Sequence, residues 1–316
     1  MRLSDNPALT AASQRGDILP IYILDDVNAC ENAMGAASRW WLHHSLEALN
    51  ASLNGTLSIY NGNPIDILVD IITRYDARAV HWNRCYEPWR IRRDAKIKTH
   101  LKTIDVEVES YNGSLLWEPW TIKKDDGVPY KVFTPFYRKG CLQKAAPRHP
   151  LPAPENLQYH HDQENSLSVD QLKLLPNIRW DRQLEMHWEI GENAGKVRFQ
   201  QFIDEGLAEY KDGRNLPTMP YVSRLSPYLH FGEISTNQLW FTVHTIANNK
   251  HGDHFCSELG WREFSYSQLF RCPELPTKNM QPKFDNFPWV ADEAALDAWQ
   301  KGETGVPMVD AGMREL

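Results

Sequence analysis

The sequence predicts an α/β domain with a doubly wound parallel sheet, then a long connector and an all-α domain. Short apolar runs alternate with helical patterns through the first third of the 316 residues, which is typical of parallel βαβ units. The middle is polar and rich in Pro, with little periodicity, and helical spacing returns afterwards. The predicted boundaries of these three parts are 1–111, 112–195 and 196–316.

The elements of the first domain follow from their apolar spacing. Parallel sheets bind ligands at the carboxyl ends of their strands, but the sequence has neither a GxGxxG nor a Walker A loop. An ordinary dinucleotide site is therefore not indicated. The predicted strands cover 18–24, 57–60, 79–82 and 106–111, and the predicted helices cover 36–53, 64–75 and 87–101.

The connector and the last third differ in composition. Residues 145–155 (AAPRHPLPAPE) are rich in Pro and should be extended, and a connector of this length is expected only between two domains. We expect it to lie across the surface. Helices are predicted over 234–246 and 255–270, and Ser235 to Gln238 form a good N-terminal capping run.

Composition excludes several classes of protein. The 34 basic and 41 acidic residues give a net charge of -7, which argues against a basic nucleic-acid coat but not against a local basic groove. No run is apolar enough to span a membrane, and no secretory signal is visible. Five cysteines without CxxC indicate a reduced, cytoplasmic setting. The pairs His43-His44 and His160-His161 lack metal-ligand spacing, so we predict no metal site.

The most informative stretch is 257–264, SELGWREF. As a helix it offers a carboxylate for base edges, an indole for stacking and a guanidinium for an anion, all on one face. An ordinary solvated Glu–Arg pair explains the same spacing. The predicted polar face contains Glu258, Trp261, Arg262 and Ser265, and the predicted apolar face contains Leu259, Tyr266 and Phe270.

A second candidate site precedes the predicted helix at 234–246. Residues 221–235 (YVSRLSPYLHFGEIS) place hydroxyl groups and free backbone N–H groups before a helix, which suits a pyrophosphate. Ser-Pro turns before helices are common, so this motif alone is a weak signal. Twelve tryptophans are also many for one chain, and aromatic residues serve stacking and electron relay as well as core packing.

Together, in this order and spacing, these segments resemble the photolyase/cryptochrome family. The LSPYLHFGEIS form is most similar to bacterial class I cyclobutane pyrimidine dimer photolyases. The resemblance implies an α/β antenna domain, an all-α FAD-binding domain and a deoxyribodipyrimidine photo-lyase. Excited reduced FAD would pass an electron to a pyrimidine dimer flipped out of UV-damaged DNA, and the dimer would then split. The segments that carry the resemblance are 2–9, 130–136, 223–227, 261–264 and 302–316.

The resemblance also implies roles for single residues. Glu258 would bind the dimer's base edge and stabilise its radical anion, Trp261 would stack on the dimer, and Arg214 would meet a DNA phosphate. Trp289 would be the exposed end of a tryptophan chain that photoreduces flavin, although packing under a loop explains it more simply. Glu109 would hold a 5,10-methenyltetrahydrofolate antenna, unless it is merely a strand-edge charge. FAD contacts are implied for Tyr210, Ser223, Arg224, Leu225, Ser226, Glu258 and Arg262.

The sequence departs from the family pattern at three positions and at both ends. Val222 replaces the usual Thr, Phe255 replaces a Trp found in some members, and Asn215 replaces the common Asp. The chain begins inside the opening motif, without the first strand of the antenna sheet, and stops before the family's end. We therefore expect a truncated chain that binds FAD and repairs DNA poorly when alone. A cryptochrome-type photoreceptor and a non-catalytic remnant of the fold remain alternatives. We also expect a monomer.

Overall fold

The computed structural model divides the chain into two compact units, Met1–Pro273 and Glu274–Leu316. The structure describes residues 1–315, so Leu316, the last residue of the 302–316 motif, lies outside the described residues. The domain boundaries predicted near 111 and 195 both fall within the first unit and stay predictions.

Strands and helices alternate through the first 111 residues, as predicted. The predicted helices match the observed ones within one or two residues at each end, because their apolar spacing is regular and Pro marks two of their starts. A further helix at Pro7 was not predicted, although the side chain of Asn6 caps it. The strands are β1 Ile21–Leu24, β2 Ser58–Asn61, β3 Ala79–Asn83 and β4 Glu107–Tyr111, and the helices are α1 Pro7–Ser13, α2 Asp26–Ala29, α3 Ala36–Ser52, α4 Pro64–Tyr75 and α5 Pro88–Lys102.

The four strands are parallel but form two pairs instead of one continuous sheet. Within residues 1–315, β1 pairs with β2 and β3 pairs with β4. A cleft of about 310 Å³ lies between the two pairs and is lined by β1 of one pair and β3 of the other. Alternate residues of β1 point to opposite faces, so Leu24 packs towards α3 while Ile23 packs towards α4 and α5. The predicted doubly wound arrangement, with helices on both faces, is therefore confirmed.

The predicted surface connector is partly buried. Leu116, Trp117 and Phe136 lie in the same core as Phe199 and Leu239 of the helical part. Their burial was missed because apolar residues in irregular backbone show no period that a sequence pattern can reveal. The segment contains α6 Phe133–Pro135, a π-helical turn Phe136–Cys141, a 3₁₀ turn Asp170–Leu172 and α7 Arg182–His187.

The rest of the first unit is helical, as predicted. The predicted capping run is confirmed, because Ser235 Oγ accepts the Gln238 N–H at 3.0 Å and the Gln238 side chain accepts the Ser235 N–H at 3.0 Å. The helices are α8 Glu192–Glu205, α9 Tyr210–Gly213, α10 Ser226–Phe231, α11 Thr236–Ile246 and α12 Lys250–Arg271.

The second unit contains a 3₁₀ turn Pro282–Asn286 and the helices α13 Glu293–Lys301 and α14 Pro307–Glu315. Its best-defined feature is the turn before α14, where the Asp310 carboxylate accepts the Thr304 hydroxyl at 2.6 Å and the Gly305 N–H at 3.0 Å. Nowhere in residues 1–315 is a helix both long and apolar enough to cross a membrane.

Candidate functional site

The helix α12 carries the candidate site on the side that faces away from the core. Its first turn is capped by the Asn249 side chain, which accepts the N–H groups of His251 and Gly252 at 2.9 and 3.1 Å. Gly260 lies on the buried side, where a β-carbon would collide with the ring of Tyr137. The predicted apolar face is confirmed only in part. Leu259 is buried, but Phe270, near the end of the helix, is exposed.

Glu258 forms an ion pair with Arg214, and not with Arg262 four residues along the helix. His254 completes the cluster, with its Nε2 3.7 Å from the Glu258 carboxylate and 3.3 Å from the Arg214 guanidinium. The guanidinium also lies over the Tyr210 ring, 5.4 Å from its centroid. Desolvation lowers the pKa of Arg214, but the hydrogen bond to Glu258 and the charge interactions with Tyr210 and Glu258 together outweigh it, so the pKa is raised. Three of the predicted site residues, Tyr210, Arg214 and Glu258, are thus brought together.

Trp261 forms the outer layer of an aromatic stack. Its ring lies parallel to that of Phe133, with centroids 3.7 Å apart, and Phe133 in turn stacks on Tyr137 at 5.6 Å. The Trp261 side chain is still 45% exposed. The stack therefore holds the indole in one orientation while leaving aromatic surface open to a flat ligand.

Arg262 and Glu263 clamp the backbone of residues 113–117, which we call the clamped segment. The Arg262 guanidinium donates to the Ser114 carbonyl at 2.7 Å. Both the Leu116 and the Trp117 N–H donate to one oxygen of the buried Glu263 carboxylate at 3.1 Å. Arg262 was predicted to contact FAD. In this structure its guanidinium binds the Ser114 carbonyl, and the FAD contact stays a prediction.

The buried Glu263 lowers the free energy of unfolding as the pH rises, which is the opposite of what a carboxylate with a lowered pKa does. Burial raises its pKa from 4.5 to about 7, against the effect of Arg262 and the two backbone donors. A raised folded-state pKa means that the folded protein holds a proton that the unfolded chain has lost. The contribution of Glu263 to stability is therefore fully present below pH 4.5 and is lost as the pH rises towards 7, by at most about 1.4 kcal/mol per pH unit.

We expect Glu263→Gln to remove this component of the pH dependence. The amide oxygen can still accept the two backbone N–H groups, but it does not titrate. Urea unfolding at pH 5 and pH 7.5 should show a smaller loss of stability for the variant than for the unsubstituted protein. Glu274→Gln, at an exposed ion pair, is the control. Equal pH dependence in all three proteins would contradict the assignment.

The loop before α10 presents the predicted phosphate-binding residues with mixed exposure. Arg224 and Ser226 are exposed, and Arg224 has a left-handed φ of 52°. Leu225 is only 1% exposed, so its backbone and not its side chain can meet a ligand. Arg198 of α8 fixes the loop by donating to the Ser223 carbonyl at 3.2 Å. Tyr221, at the start of the loop, packs on Gly213 of α9, which leaves no room for a β-carbon there.

Two further predicted residues belong to other elements of the chain. Trp289 belongs to the second unit, where its side chain is 71% exposed and its Nε1 donates to the Phe284 carbonyl at 3.2 Å. Glu109 is exposed on β4 and accepts a hydrogen bond from the Tyr111 hydroxyl. The proposed roles of both residues stay predictions.

Two members of the site were not identified from the sequence. His254 stands four residues before Glu258, so the same helical spacing that grouped Glu258 and Arg262 could have found it. Phe133 could not have been found this way, because it is 128 residues from Trp261 and only the fold brings them together.

Comparisons with known proteins agree on one family. The family described as DNA photolyase matches residues 1–155, and the FAD binding domain of DNA photolyase matches residues 255–316. The chain is 38% identical to a deoxyribodipyrimidine photo-lyase of Agrobacterium fabrum, over all of the chain and 67% of that relative. It is 33% identical to cryptochrome-2 of Arabidopsis thaliana, over all of the chain and 55% of that relative.

Solved structures give the same result. A bacterial class III photolyase from Agrobacterium tumefaciens superposes with a TM-score of 0.93 at 37% identity, covering 99% of this chain and 66% of that one. A cryptochrome from Synechocystis superposes with a TM-score of 0.87 at 25% identity, covering 99% of this chain and 68% of that one. The chain thus spans about half to two thirds of the length of these relatives.

Proposed function

Because the chain belongs to the photolyase/cryptochrome family, we propose that it serves the light-driven repair of cyclobutane pyrimidine dimers in UV-damaged DNA. The observation that supports this most directly is the outer side of α12, which offers the Glu258 carboxylate and the half-exposed Trp261 indole one turn apart. A flipped pyrimidine dimer needs both a polar partner for the edges of its bases and an aromatic surface for their rings.

FAD is the cofactor of this family's flavin domain, and the residues of the loop before α10 fit its phosphates. Arg224 and Ser226 are exposed, and within residues 1–315 neither side chain forms a hydrogen bond; the Ser223 hydroxyl accepts the Leu225 N–H at 3.4 Å. These groups could therefore hold a phosphate. When bound and reduced, FAD supplies the electron after absorbing blue light. The residues proposed to hold it are Tyr210, Ser223, Arg224, Leu225 through its backbone, Ser226, Glu258 and Arg262.

The ion pair between Arg214 and Glu258 supports an exchange of partners on DNA binding. A DNA phosphate would compete for the guanidinium, and the released carboxylate could then accept a hydrogen bond from the flipped base. His254, in contact with both groups, would keep the carboxylate oriented during the exchange. Trp261 is held by Phe133 and can stack on the dimer without reorganisation.

The class of photolyase and the alternative function also belong to this proposal. The likeness to a class III photolyase supports that class over the class I assignment that the LSPYLHFGEIS form suggested. The likeness to a plant cryptochrome keeps a photoreceptor function as the second candidate. We further propose a folate antenna held by Glu109, a monomer and a cytoplasmic setting.

Replacing Trp261 tests the proposed lesion site. Trp261→Ala should weaken binding of a dimer-containing oligonucleotide by about 10-fold or more, since stacking on an aromatic side chain is worth about 1–3 kcal/mol per base. Trp180→Ala is a matched control, because Trp180 is 44% exposed and Trp261 is 45% exposed. The measurements are fluorescence anisotropy in the dark and blue-light-dependent loss of dimers.

An absorption spectrum of each purified variant separates loss of flavin from loss of DNA contact. Equal binding of damaged and undamaged DNA by the unsubstituted protein would contradict the repair function and favour the photoreceptor. Equal losses in the Trp261 and Trp180 variants would contradict the role of Trp261.

A further inference from the structure

A group of potential metal ligands lies on α3, away from the α12 cluster. His43, His44 and Glu47 share one turn of this helix, and their ligand atoms all lie within 4.8 Å of one another. His43 Nε2 is 3.4 Å from one carboxylate oxygen of Glu47, and His44 Nδ1 is 3.0 Å from the other. Two adjacent histidines in a sequence are a weak indication of a metal site. Here the Glu47 carboxylate, one helical turn later, has one oxygen beside each imidazole.

The fold brings a second carboxylate to this group. Asp170 begins the 3₁₀ turn Asp170–Leu172, and its Oδ1 is 3.9 Å from His43 Nε2. Its side chain is exposed and can change rotamer without disturbing the core. Two imidazoles and one carboxylate thus lie together on α3, and a carboxylate more than 120 residues later in the chain approaches one of the imidazoles.

The spacing of these atoms matches what a tetrahedral metal ion needs. With bonds of about 2.0–2.1 Å, neighbouring ligand atoms of such a site lie about 3.3 Å apart. Each imidazole lies at a comparable distance from one oxygen of Glu47, 3.4 Å for His43 and 3.0 Å for His44, and Asp170 lies slightly farther from His43, at 3.9 Å. We propose that His43 Nε2, His44 Nδ1 and Glu47, with Asp170 as fourth ligand, form a binding site for a divalent transition metal of the zinc class.

The surroundings also fit a metal site. His43 is only 3% exposed, so this ligand is fixed by packing. His44 and Glu47 line an open cavity of about 350 Å³ with Trp40, Trp188 and Glu185. The cavity gives an ion access from solvent, and imidazole with carboxylate is a donor set suited to zinc, cobalt and nickel.

Such an ion would join α3 to the turn at Asp170. Because a metal bound only by the folded state stabilises it, zinc should raise the midpoint of thermal unfolding in proportion to the logarithm of its free concentration. This effect is independent of flavin, light and DNA.

The test is titration of tag-free, chelator-treated protein with Co²⁺ and Zn²⁺. Tetrahedral cobalt gives visible absorption bands, and zinc should displace it at one equivalent per chain. His44→Gln and Glu47→Gln change partly exposed side chains, so the fold should persist. We expect each to weaken zinc binding at least 10-fold and to abolish the thermal shift.

His160→Gln is the matched control, because His160 pairs with Asp17 at 3.0 Å on the surface while the adjacent His161 turns to the Ser58 hydroxyl instead. It should bind zinc as the unsubstituted protein does. The proposal is overturned if the unsubstituted protein shows no tetrahedral cobalt spectrum, or if all three variants bind zinc with unchanged affinity. A loss confined to the His160 variant would overturn it equally.

Discussion

Replacing Asp162 by alanine is expected to lower the free energy of unfolding by about 3–5 kcal/mol, the usual effect of removing one partner from a buried ion pair. Asp162 is 1% exposed and lies in the connector. It accepts the Tyr60 hydroxyl and the Arg74 guanidinium, both at 2.7 Å. Without the carboxylate, the buried Tyr60 hydroxyl loses its acceptor and the connector loses its ion pair with α4, while its hydrogen bonds to Ser58 and Ile59 of β2 remain.

The loss should depend on pH. Desolvation raises the pKa of Asp162, but the hydrogen bonds from Tyr60, Arg74 and Asn165 outweigh it and lower the pKa below its ordinary value of 3.8. A lowered folded-state pKa contributes stability above the unfolded value that disappears as the pH falls. The difference between the unsubstituted protein and Asp162→Ala should therefore shrink below about pH 4, as the carboxylate titrates.

Denaturant unfolding at pH 7 and at decreasing pH measures both effects. Asp17→Ala is the control, since Asp17 is an exposed carboxylate paired only with His160. We expect it to change stability by less than about 1 kcal/mol. If Asp162→Ala costs no more than Asp17→Ala, the connector is not held at this point.

How far the sequence predicts this molecule depends on the length of the periodic segments. The helices α3, α4 and α12 were predicted because one face of each is apolar over several turns, and α5 was predicted as a charged helix. Strand order could not be predicted, because pairing depends on non-local hydrogen bonds. The split between the β1–β2 and β3–β4 pairs therefore appeared only in the structure.

The same limit applies to the candidate site. Residues that share a helix were grouped correctly, as with Glu258 and Trp261 on one side of α12. Their partners were not, because Arg214 and Phe133 come from elsewhere in the chain. The Glu258–Arg262 pair expected from spacing is replaced by Glu258–Arg214, since Arg262 turns instead to the Ser114 carbonyl. Local spacing identifies which residues face one way, and tertiary packing decides what they contact.

The second large effect is expected at Arg2, whose replacement by alanine should cost about 3–5 kcal/mol, because three carbonyls lose their donor and each buried polar group left unpaired costs about 1–3 kcal/mol. Arg2 is 6% exposed and remains protonated at neutral pH, although burial lowers its pKa to about 10. Its guanidinium donates to the carbonyls of Asp5 at 2.7 Å, Gly113 at 2.6 Å and Gly232 at 2.9 Å. It thus ties the N-terminal loop, the clamped segment and the end of α10 together.

Arg2 and Arg262 hold neighbouring carbonyls of the clamped segment, Gly113 and Ser114, so their effects should not add. Once one guanidinium is gone, the segment is freer and the second has less to stabilise. In urea unfolding, the double variant of Arg2→Ala and Arg262→Ala should fall short of the sum of the single losses by about 0.5–3 kcal/mol. Arg78→Ala, at an exposed pair, should change stability by under about 1 kcal/mol and combine additively with Arg2→Ala. A strictly additive Arg2–Arg262 pair would contradict this coupling and would mean that α12 and the N-terminal loop hold the segment independently.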